Sequence, residues 1–235
     1  MNDSVYTQLL DLACGAFLLA AVVVLWLRQL SSIVRAFALQ GVALAAVAGL
    51  LGVHEGRWDL LAVAVGIGLL RAGALPHLIR RALAAGTPPA AHHFTHHYEE
   101  DVSEARETQP LVNVAASLLS AALLTLLAYA VARPLVELDP TPATSALPVG
   151  LAVVLIGFFT LVTRRRALAQ VVGFLLLDNG ITATAFLAAS GVPLIVELGV
   201  SFDVLLAVLV LQILTTRMRA AFGGTGIDDL RELRD

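Results

Sequence analysis

Apolar residues in this chain do not alternate with polar ones at a helical or strand period. They run on in long blocks over the whole length. Each block is about as long as a helix needs to cross ~30 Å of hydrocarbon. Inside lipid a segment must satisfy its own backbone polar groups, so such blocks predict helices. Seven are expected, at about 9–27, 32–53, 60–78, 111–131, 149–162, 167–189 and 194–216, the fifth being short. The third is interrupted by Arg71, Gly73 and Pro76. Pro76 is expected to kink it and to free a carbonyl.

The polar stretches divide the chain into five parts. An N-terminal three-helix membrane segment spans 1–81, followed by a His- and acid-rich loop at 82–109. A linking helix spans 110–132, and a second three-helix segment 148–219. The charged tail is 220–235. Between 132 and 148 the sequence ARPLVELDPTPATSALP reads as a proline-rich connection.

Composition agrees with the pattern. Of 235 residues, 58% are hydrophobic and only 14% charged; soluble domains carry about 25% charged residues. The single cysteine, Cys14, excludes an internal disulfide and reads as a small apolar residue. There is no lysine, and MNDSVYTQ lacks a positive n-region, so the first apolar block is expected to be a retained span.

The arginines set the expected orientation. With seven spans, the side shared by the C-terminus and the loops after the first, third and fifth holds twelve of them, against Arg57 and Arg133 opposite. Arginine-rich loops stay in the cytoplasm. The expected fold is therefore all-α, a polytopic membrane bundle of about seven helices, N-terminus outside and C-terminus cytoplasmic. An internal parallel repeat is also suggested. FALQGVALAAVAG from Phe37 lays over LLLDNGITATAFL from Leu175, pairing Gln40 with Asp178, and Asp59 pairs with Asp203 farther on. Parallel repeats are a known membrane architecture.

Candidate chemistry lies in the charges that an apolar chain should avoid. Asp178 stands near the middle of the sixth span; Asp203 lies in the outer half of the seventh, with Glu197 near its start. An aspartate at a helix centre costs roughly 2.5–3.5 kcal/mol on insertion scales. Intramembrane carboxylates therefore point to proton or ion relays, with helix-to-helix hydrogen bonding as the plainer alternative. Asn179 and Thr182 extend a polar strip from Asp178. Glu197 and Asp203 lie six residues apart, about 120° around a helix, and so face different neighbours. Arg71 is expected to pair with a carboxylate or line a wet cavity, and Gln40 to make a packing hydrogen bond.

His92, His93, His96 and His97 form a dense histidine group in HHFTHHYEED. Imidazoles suit Zn²⁺ or Ni²⁺, but the boxes of a membrane di-iron centre need more histidines than the six present. A cytoplasmic loop without metal is the expectation. No nucleotide-binding glycine motif and no Ser-His-Asp arrangement occurs, and the basic loops serve topology, giving no sign of nucleic acid.

From 149 to 218 the chain resembles subunit K of bacterial complex I: a helix, an arginine turn at Arg164, Arg165 and Arg166, a helix with a central acid, a short turn, a helix with an acid in its outer half, then Arg217 and Arg219. Over more of its length it resembles component E of hydrogenase 4, through GFLLLDNGI, PLIVELGVSFDVLLAVLV and the closing DDLRELRD. The family more often has glutamate at the place of Asp178 and lysine at that of Arg71. The resemblance implies a non-catalytic subunit, without a cofactor of its own, in the plasma membrane of a prokaryote. Its implied partners are large antiporter-like and quinone-module-like membrane subunits, peripheral redox subunits indirectly, and membrane lipid. Asp178, Asp203, Glu197 and Arg71 would serve a proton path, supported by Asn179, Thr182 and Gln40. A subunit of a multisubunit Na⁺/H⁺ antiporter and a pure scaffold remain the other readings, with a metalloenzyme using the histidines last.

Overall fold

The computed structural model describes residues 2–27, 29–85, 113–164 and 167–189. Every element among them is a helix: α1 (Asp3–Trp26), α2 (Leu30–Glu55), α3 (Trp58–Ile67), a π-helical segment (Gly68–Ala74), α4 (Leu75–Ala85), α5 (Val114–Leu138), the single turn α6 (Pro142–Ser145), α7 (Leu147–Thr163) and α8 (Ala167–Ala189). Six helices among the described residues are long and apolar enough to cross a membrane, α3 to α4 and α6 to α7 each counting as one. These coincide with the first six expected spans. The seventh, with Glu197 and Asp203, lies outside the described residues, as do the histidine loop and the charged tail.

The ends of these helices follow from local sequence. Gly56 closes α2 in the left-handed region at φ 66°, its N–H bonded to the Gly52 carbonyl. Glycine takes this conformation without the steric cost a Cβ brings. Thr141 and Thr144 form a capping box around α6, with Pro142 at its first position, where a missing N–H costs nothing.

Two prolines behave differently from the sequence expectation. Pro134 does not open the connection: α5 runs through it to Leu138. Near the end of a mostly exposed helix, losing one N–H is tolerated. Pro76 is preceded by the π segment, in which the Leu75 N–H bonds to the Leu70 carbonyl five residues back. A proline ring presses on the carbonyl four residues before it. Widening the preceding turn relieves that contact, and such turns recur at functional sites.

The helices pack as a bundle with α2 and α8 inside. α8 lies between α7 and α2; α2 also packs on α1, α3 and the π segment; α5 leans on α7 and α1 and leaves most of its side chains exposed. The most extensive contact is α7 on α8. Four glycines make it possible. A Cβ on Gly150 would lie 2.9 Å from the Thr184 backbone nitrogen, one on Gly173 2.7 Å from that of Leu161, and one on Gly180 2.5 Å from that of Val154. Gly157 is closest of all, against Leu177. All four contacts belong to one antiparallel register. Small residues let membrane helices approach backbone to backbone, where dispersion and not water drives packing.

Two further contacts tie the described helices together near their ends. His54, isolated in the sequence, stacks on Tyr6 with ring centroids 3.8 Å apart, joining α2 to α1. Arg164 is buried, and its guanidinium donates to the carbonyls of Val24 and Leu25 at 3.1 and 3.3 Å. It thereby satisfies carbonyls that the end of α1 leaves without helical donors.

Candidate functional site

The polar residues of the described bundle converge where α2, the π segment and α8 meet. Arg71 projects from the π segment and is 1% exposed, the largest fully buried side chain among the described residues. Its Nη2 stands 2.9 Å from Asp178 Oδ2, and the Asp178 side chain is 11% exposed. Arg71 Nη1 donates to Asn179 Oδ1 at 2.6 Å, and Nη2 donates to Thr182 Oγ1 at 3.0 Å. Asn179 Nδ2 in turn donates to Gln40 Oε1 at 3.0 Å.

Helix geometry explains the convergence. Asp178 and Thr182 are four residues apart on α8 and so share a face, with Asn179 beside them. On the facing side, α2 approaches the π segment so closely that a Cβ on Gly41 would lie 2.9 Å from the Arg71 carbonyl carbon and the Ala72 nitrogen. Gly41, next to Gln40, thus sets how closely α2 approaches the turn that carries Arg71. The fork of an arginine matches several oxygens at once, which a lysine ammonium does less well.

The result is a buried ion pair within a bundle whose core is otherwise apolar. Separating two charges there is costly, because both are buried. The arrangement can hold a charge, or exchange a proton at Asp178. Of the seven residues singled out for a proton path and its support, the structure brings five together: Asp178, Arg71, Asn179, Thr182 and Gln40. Gln40 and Asp178, paired by the repeat alignment, join the same cluster through Asn179. Asp59, aligned with Asp203, stands apart at the exposed start of α3, where Arg57 Nε donates to its Oδ1 at 3.2 Å.

Three features went unrecognised in the sequence. Gly41 carried no distinguishing signal. The α7–α8 seam did: Gly150 and Gly157, and Gly173 and Gly180, are each one heptad apart. Arg164 counted only toward topology, whereas it caps α1.

No family model matches the sequence, and no solved structure does. Over 235 residues, 100% of both chains, it is 46% identical to the Mycobacterium tuberculosis protein described as uncharacterized protein Rv0085. The chain belongs to the Rv0085 family. Hydrogenase-4 component E of Escherichia coli K12, and likewise that of Shigella flexneri, is a more distant relative of this family member, 32% identical over 116 residues that make up 49% of this chain and 54% of that protein. With six apolar helices among its described residues and this relationship, the Rv0085-family chain is a multi-pass membrane protein.

Proposed function

We propose that the chain is an accessory membrane subunit of a hydrogenase- or complex-I-like energy-converting complex, and that Asp178 exchanges protons on its proton path. The observation that carries this reading is the Arg71–Asp178 pair, buried in the middle of an apolar bundle at 2.9 Å. The distant relationship to hydrogenase-4 component E supports the kind of complex. In this reading the chain sits in the plasma membrane of a prokaryote with its C-terminus cytoplasmic, beside antiporter-like and quinone-module-like subunits. Redox chemistry belongs to peripheral partners.

The chemistry follows from charge balance. With Asp178 ionised, the pair is neutral as a whole. A proton arriving on Asp178 removes one negative charge from beside the Arg71 guanidinium, in a medium that screens charge poorly. Arg71 keeps Asn179 and Thr182 as neutral acceptors, so it need not leave the site. That change in local charge favours a compensating step nearby, through another proton leaving or a neighbouring carboxylate approaching. Asp203 and Glu197 are the proposed further members of that path.

The test is proton translocation by the assembled complex in sealed vesicles. Asp178→Glu keeps the titration and should retain much of the translocation. Asp178→Asn keeps size and hydrogen bonds but cannot exchange a proton, and should lose most of it at normal assembly. Full translocation by Asp178→Asn would leave Asp178 as a packing contact and reject the proton path.

A further inference from the structure

Gln40 is 1% exposed, and its Nε2 is the buried side-chain polar atom among the described residues that has no hydrogen-bond partner. This is not a matter of which way the amide is drawn. Arg71 can only donate, so the atom of Asn179 facing it at 2.6 Å must be the oxygen. The Asn179 amide then presents its NH₂ to Gln40, and at 3.0 Å the facing atom of Gln40 must also be an oxygen. Turning Gln40 alone would set NH₂ against NH₂. Turning both amides would set NH₂ against the guanidinium. The polarity that starts at Arg71 thus runs through Asn179 and fixes the Gln40 NH₂ as a donor pointing away from both.

A buried donor without an acceptor is strongly disfavoured, and more so where no bulk water reaches. An apolar residue would fill the same place on α2 without that cost. Buried water commonly serves such groups. The backbone beside this turn of α2 also supplies an acceptor, since the Arg71 carbonyl oxygen is 3.0 Å from where a Cβ on Gly41 would stand. A carbonyl has two lone pairs and can accept from water whatever its other bond.

We propose that Gln40 holds a water molecule inside the bundle, three hydrogen bonds from the Arg71 guanidinium, and that this water is a link in proton exchange with Asp178. The second half rests on the proton-path reading above. Gln40 takes no proton itself; it is a positioning residue for the water, which passes one proton to Asp178 as it takes one from the preceding acid of the path, so that the water carries no net charge before or after the step.

Two measurements on the assembled complex test this. In a density map fine enough to show ordered water, a peak is expected at about 2.7–3.2 Å from Gln40 Nε2. An absent peak, or a protein group in its place, overturns the proposal. The second measurement is translocation in vesicles. Gln40→Met removes the donor and should lower translocation about tenfold or more, the scale of one broken buried hydrogen-bond network. Gln40→Glu, protonated, still accepts from Asn179 and offers an O–H to the water, and should restore most of the loss. Normal translocation by Gln40→Met, where Asp178→Asn is inactive, overturns the link while the proton path stands. Normal translocation by Asp178→Asn rejects the path and with it the link; a water peak would then support the binding site alone. If Gln40→Met fails to assemble, the water peak in the unmodified complex decides.

Discussion

α8 carries two faces built on opposite principles. Toward α7 it presents Gly173, Leu177, Gly180 and Thr184, and the fit there comes from missing side chains. Toward α2 and the π segment it presents Asp178, Asn179 and Thr182, and the fit there comes from hydrogen bonds to Arg71 and Gln40. Residues 178 and 180 are about 200° apart around the helix, so the two faces do not share contacts. A backbone seam has one good register and little freedom to shift. A charged network has discrete states set by protonation. One helix thus joins a fixed wall to a site that can change its charge.

The largest effect should come from breaking the charged face. Arg71→Met leaves Asp178 buried and unbalanced, and removing one member of a buried pair costs about 3–5 kcal/mol. The measurement is thermal unfolding of the protein solubilised from its membrane. Replacing both members, Arg71→Met with Asp178→Leu, should recover a good part of that loss, because the Asp178 charge is no longer stranded. It should not recover proton translocation. Equal destabilisation by the single and double variants would show that charge is not what the pair contributes.

A smaller loss is expected from the seam. Gly157→Ala puts a methyl against the Leu177 backbone, which cannot swing aside as a side-chain end would. Overpacking of this kind costs typically ~1–3 kcal/mol. Ala and Gly differ little in charge or polarity, so translocation per assembled complex should be unchanged while thermal stability falls. A variant of normal stability would mean that α7 and α8 stand farther apart than the seam requires.

The sequence showed the apolar frame well because lipid leaves few choices. A block of about twenty apolar residues has to be a helix, and the six described spans follow the expected blocks with shifts at their ends. Pro134 misled because proline usually ends helices, yet a helix end projecting from the bundle tolerates it. The charged centre was legible for the same reason as the frame: Arg71 and Asp178 are conspicuous where everything else is apolar. That they meet was not legible, because it depends on the π turn and on Gly41, neither of which leaves a periodic trace. The seam was legible in principle, through two pairs of glycines at heptad spacing, but only once α7 and α8 are taken to be antiparallel neighbours. Arg164 opens a run of three arginines, and nothing in that run marks it as a cap for another helix.

Two threonines give the finest comparison. Thr182 and Thr184 are two residues apart on α8, one on each face. Thr182 accepts from the buried Arg71 guanidinium at 3.0 Å, whereas the Thr184 hydroxyl donates to the carbonyl of Gly180, one turn back in its own helix, at 2.8 Å. Valine has nearly the shape of threonine, so exchange tests the hydroxyl alone. Thr182→Val removes an acceptor from a guanidinium that is buried, and should cost about 1–3 kcal/mol. Thr184→Val removes a local bond to a carbonyl that the helix ladder also serves, and should stay within about 0.5 kcal/mol. Thermal unfolding of the two solubilised variants side by side measures the difference. If Thr184→Val were the more damaging, the seam would depend on that hydroxyl and not on its glycines. If both were neutral, Arg71 would draw too little from Thr182 for the polar face to be what positions it.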